Sequence, residues 1–132
     1  MRYLLDVNAL IALGVVNHQF RRRVMTWVGN ETSPELLTCA MTELGFVRVL
    51  SNAQPYGYTV EQALDLLLEI NPNPSFPLAF IPDDHDIAKL PAWVKWPRQI
   101  TDGHLLQLAV ANGAVLATLD EGIPDAYLIP LS

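Results

Sequence analysis

Hydrophobic positions along this chain fall into short unbroken runs, separated by longer stretches in which they recur at helical spacing. The run from Arg2 to Asp6, built on Tyr3-Leu4-Leu5, predicts a short buried strand, and Asn8 to Val16 predicts a helix packed behind it. Asn17 is placed to cap a second helix, on which Phe20, Val24, Trp27 and Val28 form one stripe. After a Thr32-Ser33-Pro34 turn, Glu35 to Ala40 predicts another strand, and Thr42 to Ser51 a helix burying Leu44, Val47 and Leu50. Thr59 and Gln62 make a capping box for a helix bearing Val60, Ala63, Leu64 and Leu67. Asn71 to Pro77 carries three prolines and reads as irregular, whereas Leu78 to Ile81 is a strand candidate. Asp83 to Arg98, interrupted by Pro91 and Pro97, fits no regular element. Thr101 is the expected cap of a helix with Leu105, Leu108 and Ala109 on one face, ended by Asn112-Gly113. Val115 to Leu119 predicts a further strand, and Ala126 to Ile129 a last one at an edge. Strands alternating with helices in this way predict an α/β domain with a mainly parallel sheet.

Length and composition narrow the picture. A chain of 132 residues with 51% hydrophobic content makes one domain, 1–132, with a sizeable core, and excludes a disordered chain. The single cysteine, Cys39, excludes an internal disulfide and reads as an inert core thiol in a reducing compartment. The apolar stretch from Leu4 to Val16 is interrupted by Asp6 and Asn8 and lacks a cleavage site, so no secretion signal is expected. No run approaches the ~20 apolar residues that cross a bilayer, which leads to the expectation of a soluble, cytoplasmic protein. A net charge of −6 leans against a nucleic-acid partner, unless part of the acidity belongs to a metal site.

Four acids carry the candidate chemistry: Asp6, Glu43, Asp102 and Asp120. Each stands at the end of a predicted strand or near the start of the helix that follows. Open parallel sheets bind ligands beyond the carboxyl ends of their strands, so acids scattered through the sequence can meet on one rim. Carboxylates gathered there repel one another unless a cation neutralises them, which points to a divalent metal.

The segments around the four acids resemble the motifs of PIN-domain ribonucleases, especially the VapC-type toxins of bacterial toxin–antitoxin pairs. Leu4-Leu5-Asp6-Val7-Asn8-Ala9-Leu10-Ile11 is similar to that family's opening motif, and Thr42-Glu43-Leu44-Gly45-Phe46-Val47-Arg48-Val49-Leu50 to its second. Thr101-Asp102-Gly103-His104-Leu105-Leu106 resembles the third and Ala117-Thr118-Leu119-Asp120-Glu121-Gly122 the fourth. Order and approximate spacing agree over nearly the whole chain; residues 71–98 match least, and Gly103 replaces the commoner alanine. The resemblance implies a PIN-like three-layer α/β/α fold with about five mainly parallel strands. It also implies a Mg²⁺-dependent (or Mn²⁺-dependent) endoribonuclease, in which Asp6, Glu43, Asp102 and Asp120 hold metal directly or through water. Asn8 and Thr118 then become polar auxiliaries. RNA as substrate, a small antitoxin as partner and a homodimer follow from the same resemblance.

Several further residues invite a role. Arg48, five residues past Glu43, is placed to steady a carboxylate or meet a phosphate near the rim. Arg21, Arg22 and Arg23 spread around a helix and read first as solvated surface, with RNA contact as the second reading. Trp93 and Trp96 flank Lys95 and could stack on bases or pack in the core. Asp83-Asp84-His85-Asp86 reads as a solvated turn or helix cap rather than a metal cluster. His18, His85 and His104 lack zinc spacing, and His104 is expected at the surface or behind the acids. Two other functions compete. A haloacid-dehalogenase-type phosphatase would want an aspartate where Asn8 stands and a lysine before the last acids, and a non-catalytic PIN-like module would only bind.

Overall fold

The computed structural model describes residues 1–70 and 77–132. Five strands, β1 (Arg2–Leu5), β2 (Glu35–Thr38), β3 (Leu78–Phe80), β4 (Val115–Thr118) and β5 (Tyr127–Leu128), form one sheet in the order β3-β2-β1-β4-β5. Every pairing is parallel, with Leu4 beside Leu37 on one side and Leu116 on the other. The helices are α1 (Val7–Gly14), α2 (Arg21–Asn30), α3 (Ala40–Ser51), α4 (Val60–Glu69) and α5 (Ile100–Ala111). The expectation of an α/β domain with five mainly parallel strands holds.

The central strands are unbroken apolar runs because both their faces are covered. Tyr3, Leu5, Leu36 and Ala117 face the core shared with α1 to α4, while Leu4, Leu37 and Leu116 face the core under α5. Cys39 lies wholly buried in the second core, as an inert thiol should. On the first face, Tyr3 packs edge-on against Trp27 with ring centroids 4.8 Å apart. Glu31 accepts hydrogen bonds from both rings' polar ends, at 2.6 and 3.0 Å, which satisfies two donors in that wall.

Helix boundaries depart from expectation where tertiary contacts override local signals. Asn17 does not cap α2; that helix starts at Arg21 after Phe20, and the Phe20 ring lies on the surface. On α3 the buried stripe is Thr42, Phe46 and Leu50, so Leu44 faces solvent instead of the core. The Thr59–Gln62 capping box is present, but α4 turns Ala63, Leu66, Leu67 and Ile70 inward and leaves Val60 and Leu64 exposed. Thr101 is not a cap either, because Pro97–Gln99 forms a 3₁₀ turn that runs straight into α5 at Ile100. At the far end, Gly113 takes the left-handed conformation (φ 65°) that lets the chain leave α5 for β4. The expectation for Asn71 to Pro77 concerns residues that, apart from Pro77, lie outside those described.

Candidate active site

The sheet order reverses between β1 and β4, so the crevice at their carboxyl ends is where such a sheet binds ligands. Asp6 leaves β1 and caps α1, its Oδ1 accepting from the Val7 N–H at 2.8 Å. Its Oδ2 accepts from the Thr118 hydroxyl, also at 2.8 Å, at the last residue of β4. Thr118 is wholly buried, and its oxygen in turn accepts from Asn8 Nδ2 (3.1 Å) and from the Asp120 N–H (3.0 Å). The Asn8 carbonyl accepts from the Leu119 N–H at 3.0 Å, stitching α1 to the end of β4. Asn8 and Thr118 thus fix the Asp6 carboxylate relative to the backbone that carries Asp120. Asp120 Oδ1 turns back onto the Gly122 N–H at 2.7 Å, which closes the loop that carries it.

Asp102 enters from the first turn of α5. Burial pushes its carboxyl up to about 6, and the charges of Asp6 and Asp120 add to that rise. Asp6 moves the same way, chiefly through burial and further through Asp120, although its bonds to Thr118 and Val7 pull back. Three carboxylates from β1, β4 and α5 therefore share one field. Glu43 stands in the first turn of α3 on the same rim, one strand over, where the Thr38 hydroxyl donates to Oε2 at 2.7 Å. It is not among the charges that shift Asp6 or Asp102. Thr38 had no role in the sequence reading. It closes β2 just as Thr118 closes β4, and a threonine ending an apolar run ahead of an acid was the available signal.

The remaining candidates divide. Arg48 lies in the last turn of α3, exposed and away from the rim expected for it; no ion pair among the described residues engages it. Arg21 donates to the Leu13 carbonyl and Arg23 to that of Ile129, so among the described residues only Arg22 of that triplet is uncommitted. Asp86 does cap a turn, through the Ala88 N–H at 2.8 Å. Asp83 is more than a loop residue, because its Oδ2 lies 2.7 Å from Nε2 of His104. His104 is accordingly buried, not at the surface, and it ties the segment before α5 to the helix itself.

The donor set suits a hard cation: all are carboxylate oxygens, and at Asp102 burial, then the charges of Asp6 and Asp120, disfavour the bare anion. Among the described residues no three His, Cys, Asp or Glu side chains close into a ready-made cage.

No family model matches the chain. Whole-chain relatives do. Ribonuclease VapC38 of Mycobacterium tuberculosis is 36% identical over 124 residues, covering 91% of this chain and 86% of the relative. Ribonuclease VapC44 of the same species is 34% identical over 128 residues, covering 93% and 89%. Ribonuclease VapC39 is 32% identical over 130 residues, covering 96% and 94%. The fold is also that of a crystal structure of VapBC2 from Rickettsia felis bound to a DNA fragment from their promoter. That likeness has a TM-score of 0.60 at 14% identity and covers all of both chains. With β1, β4 and α5 delivering their acids to one crevice, and relatives this similar along their whole length, the chain belongs to the VapC ribonucleases, the toxins of toxin–antitoxin pairs.

Proposed function

We propose that this chain hydrolyses RNA phosphodiester bonds at the acidic rim with Mg²⁺ or Mn²⁺ bound there, in the cytoplasm, and that a small cognate antitoxin restrains it. The observation that carries the reading is that β1, β4 and α5 bring Asp6, Asp120 and Asp102 to one crevice, where burial first, and then the charges of Asp6 and Asp120, raise the Asp102 carboxyl to about 6. Asp6, Asp102 and Asp120 are the groups that would hold the cation, with Glu43 as a fourth carboxylate reaching it directly or through water. When bound, the cation supplies neutralising charge and Lewis acidity at the scissile phosphate.

The chain's own residues then have distinct tasks. Thr118 and the Val7 N–H each occupy one Asp6 oxygen, so they set the direction of the remaining lone pairs. Asn8 holds the β4 end against α1 and so keeps Asp120 in reach of Asp6. Thr38 aims Glu43 along the rim. No side-chain nucleophile is placed among them, which agrees with water as the attacking group. A homodimer remains part of the proposal by family likeness.

Induced expression tests the reading in cells. Wild type should arrest growth, Asp6→Ala should not, and co-expression of the antitoxin should relieve the arrest. Equal arrest by wild type and Asp6→Ala at matched protein levels would contradict a toxicity that runs through these acids.

A further inference from the structure

The chain carries eight Lys and Arg residues against fourteen acids, so where its uncommitted cations stand is informative. Arg2, Arg21 and Arg23 are tied to Glu35 or to backbone carbonyls. Of the other five, three fall within ten residues, Lys89, Lys95 and Arg98, and all three are exposed. Among the described residues neither ion pair involves them.

They lie on an irregular strap leading into α5. The strap is fastened on its inner side. Leu90, Pro91 and Val94 press so closely on Gly103 that a Cβ there would clash with Val94 Cγ2. Trp93 packs against the core under α5. Gln99 Oε1 accepts from the backbone N–H of both Lys95 and Trp96, at 2.8 and 3.1 Å, which fixes the outer turn. This anchoring leaves Trp96 60% exposed, with Lys95 and Arg98 beside it in sequence. Arg98 precedes Asp102 by four residues, one turn of the continuous 3₁₀ and α-helical run.

We propose that this strap is the lip over which single-stranded RNA enters the acidic rim, with one unpaired base stacked on Trp96 and adjoining phosphates on Lys95 and Arg98. The proposal rests on the ribonuclease reading and deepens it. A strongly acidic protein must attract a polyanion locally, and three of its five remaining cations stand on this strap, with Arg98 one turn ahead of Asp102. An exposed ring between two cations complements an unpaired nucleotide, and a paired base offers it no face. Gly103 then has a reason: a side chain there would push the strap off α5 and move Trp96 away from Asp102.

The test uses the full chain carrying Asp6→Asn to suppress turnover, with a labelled single-stranded RNA followed by anisotropy. Trp96→Ala should weaken binding roughly 5- to 100-fold, while Trp96→Phe should keep most of the affinity. RNA should quench tryptophan fluorescence, and Trp96→Phe should lose that quench. Lys95→Gln with Arg98→Gln should flatten the salt dependence by about 1.4, or about 0.7 per phosphate contact. Binding of a duplex of the same sequence should not respond to Trp96→Ala. Unchanged affinity, quench and salt slope in these variants, with wild type still cutting RNA, would overturn the lip and leave the ribonuclease reading standing. Wild type that neither cuts nor binds RNA would overturn both. If Trp96→Ala fails to match its parent by circular dichroism, the Trp96→Phe quench and the charge variants decide.

Discussion

Asp102→Asn should stabilise the metal-free protein at neutral pH while destroying its activity. In the folded chain the Asp102 carboxyl is raised from its usual 3.8 to about 6 by burial, then by Asp6 and Asp120. A group whose folded value lies above its unfolded value contributes fully below about 3.8, and the contribution is lost as pH rises through about 6. Asp6 is shifted in the same direction, so both acids make the metal-free fold less stable at pH 7 than at pH 4. At 1.36 kcal/mol per tenfold, the rise at Asp102 corresponds to about 3 kcal/mol. Because Asp102 is only partly buried, solvent screening reduces this to about 1 kcal/mol. Urea denaturation in EDTA between about pH 4.5 and 8 reads the effect directly. Wild type should lose about 1 kcal/mol or more across that range, and Asp102→Asn should flatten the loss. Mg²⁺ at pH 7.5 (roughly neutral) should stabilise wild type more than the variant, because a bound cation stabilises the state that holds it. If Asp102→Asn were less stable than wild type at neutral pH in EDTA, the claim that burial and the charges of Asp6 and Asp120 disfavour a carboxylate there would be refuted, and with it the argument for a cation.

Two further substitutions test other parts of the account. Thr118→Val keeps the shape but removes the donor to Asp6 and the acceptor for Asn8 and Asp120; it should cost about 2–4 kcal/mol. That loss should be larger at neutral than at acidic pH, since Thr118 favours the charged form of Asp6, and a pH-independent loss in urea titrations would count against it. Gly103→Ala should cost about 1–3 kcal/mol by overpacking against Val94, and adding Val94→Ala should recover most of it. Additive losses in that double-mutant cycle would show that the strap and α5 do not press on each other there.

Much of the fold was legible because its strands are short, apolar and closed by polar residues, and because the capping box at Thr59 and Gln62 is a local device. Asp6 and Asp120 stood out at strand ends, and Asp102 and Glu43 fell in first helical turns where the structure has them. What misled was periodicity without a partner. Leu44 and Val60 sit at helical spacing yet face solvent, because α1 and the sheet select the Phe46 and Ala63 stripes instead. Thr101 has the chemistry of a cap, but Pro97 had already started the helical run. The Asp83–His104 pair spans 21 residues of irregular chain, which no local pattern reveals. Thr38 was passed over as one more strand residue, although its hydroxyl decides where Glu43 points.

The central claim is that metal held by these acids cuts RNA, and a single-turnover cleavage assay tests it most directly. Labelled RNA is incubated with antitoxin-free wild type and with Asp6→Asn, both shown to be folded, in Mg²⁺ and in EDTA. Wild type should cut only with Mg²⁺, and Asp6→Asn should lose about 10²-fold or more, since it removes charge stabilisation at the reacting phosphate. Cleavage by wild type that survives EDTA, or by Asp6→Asn at the wild-type rate, would contradict it.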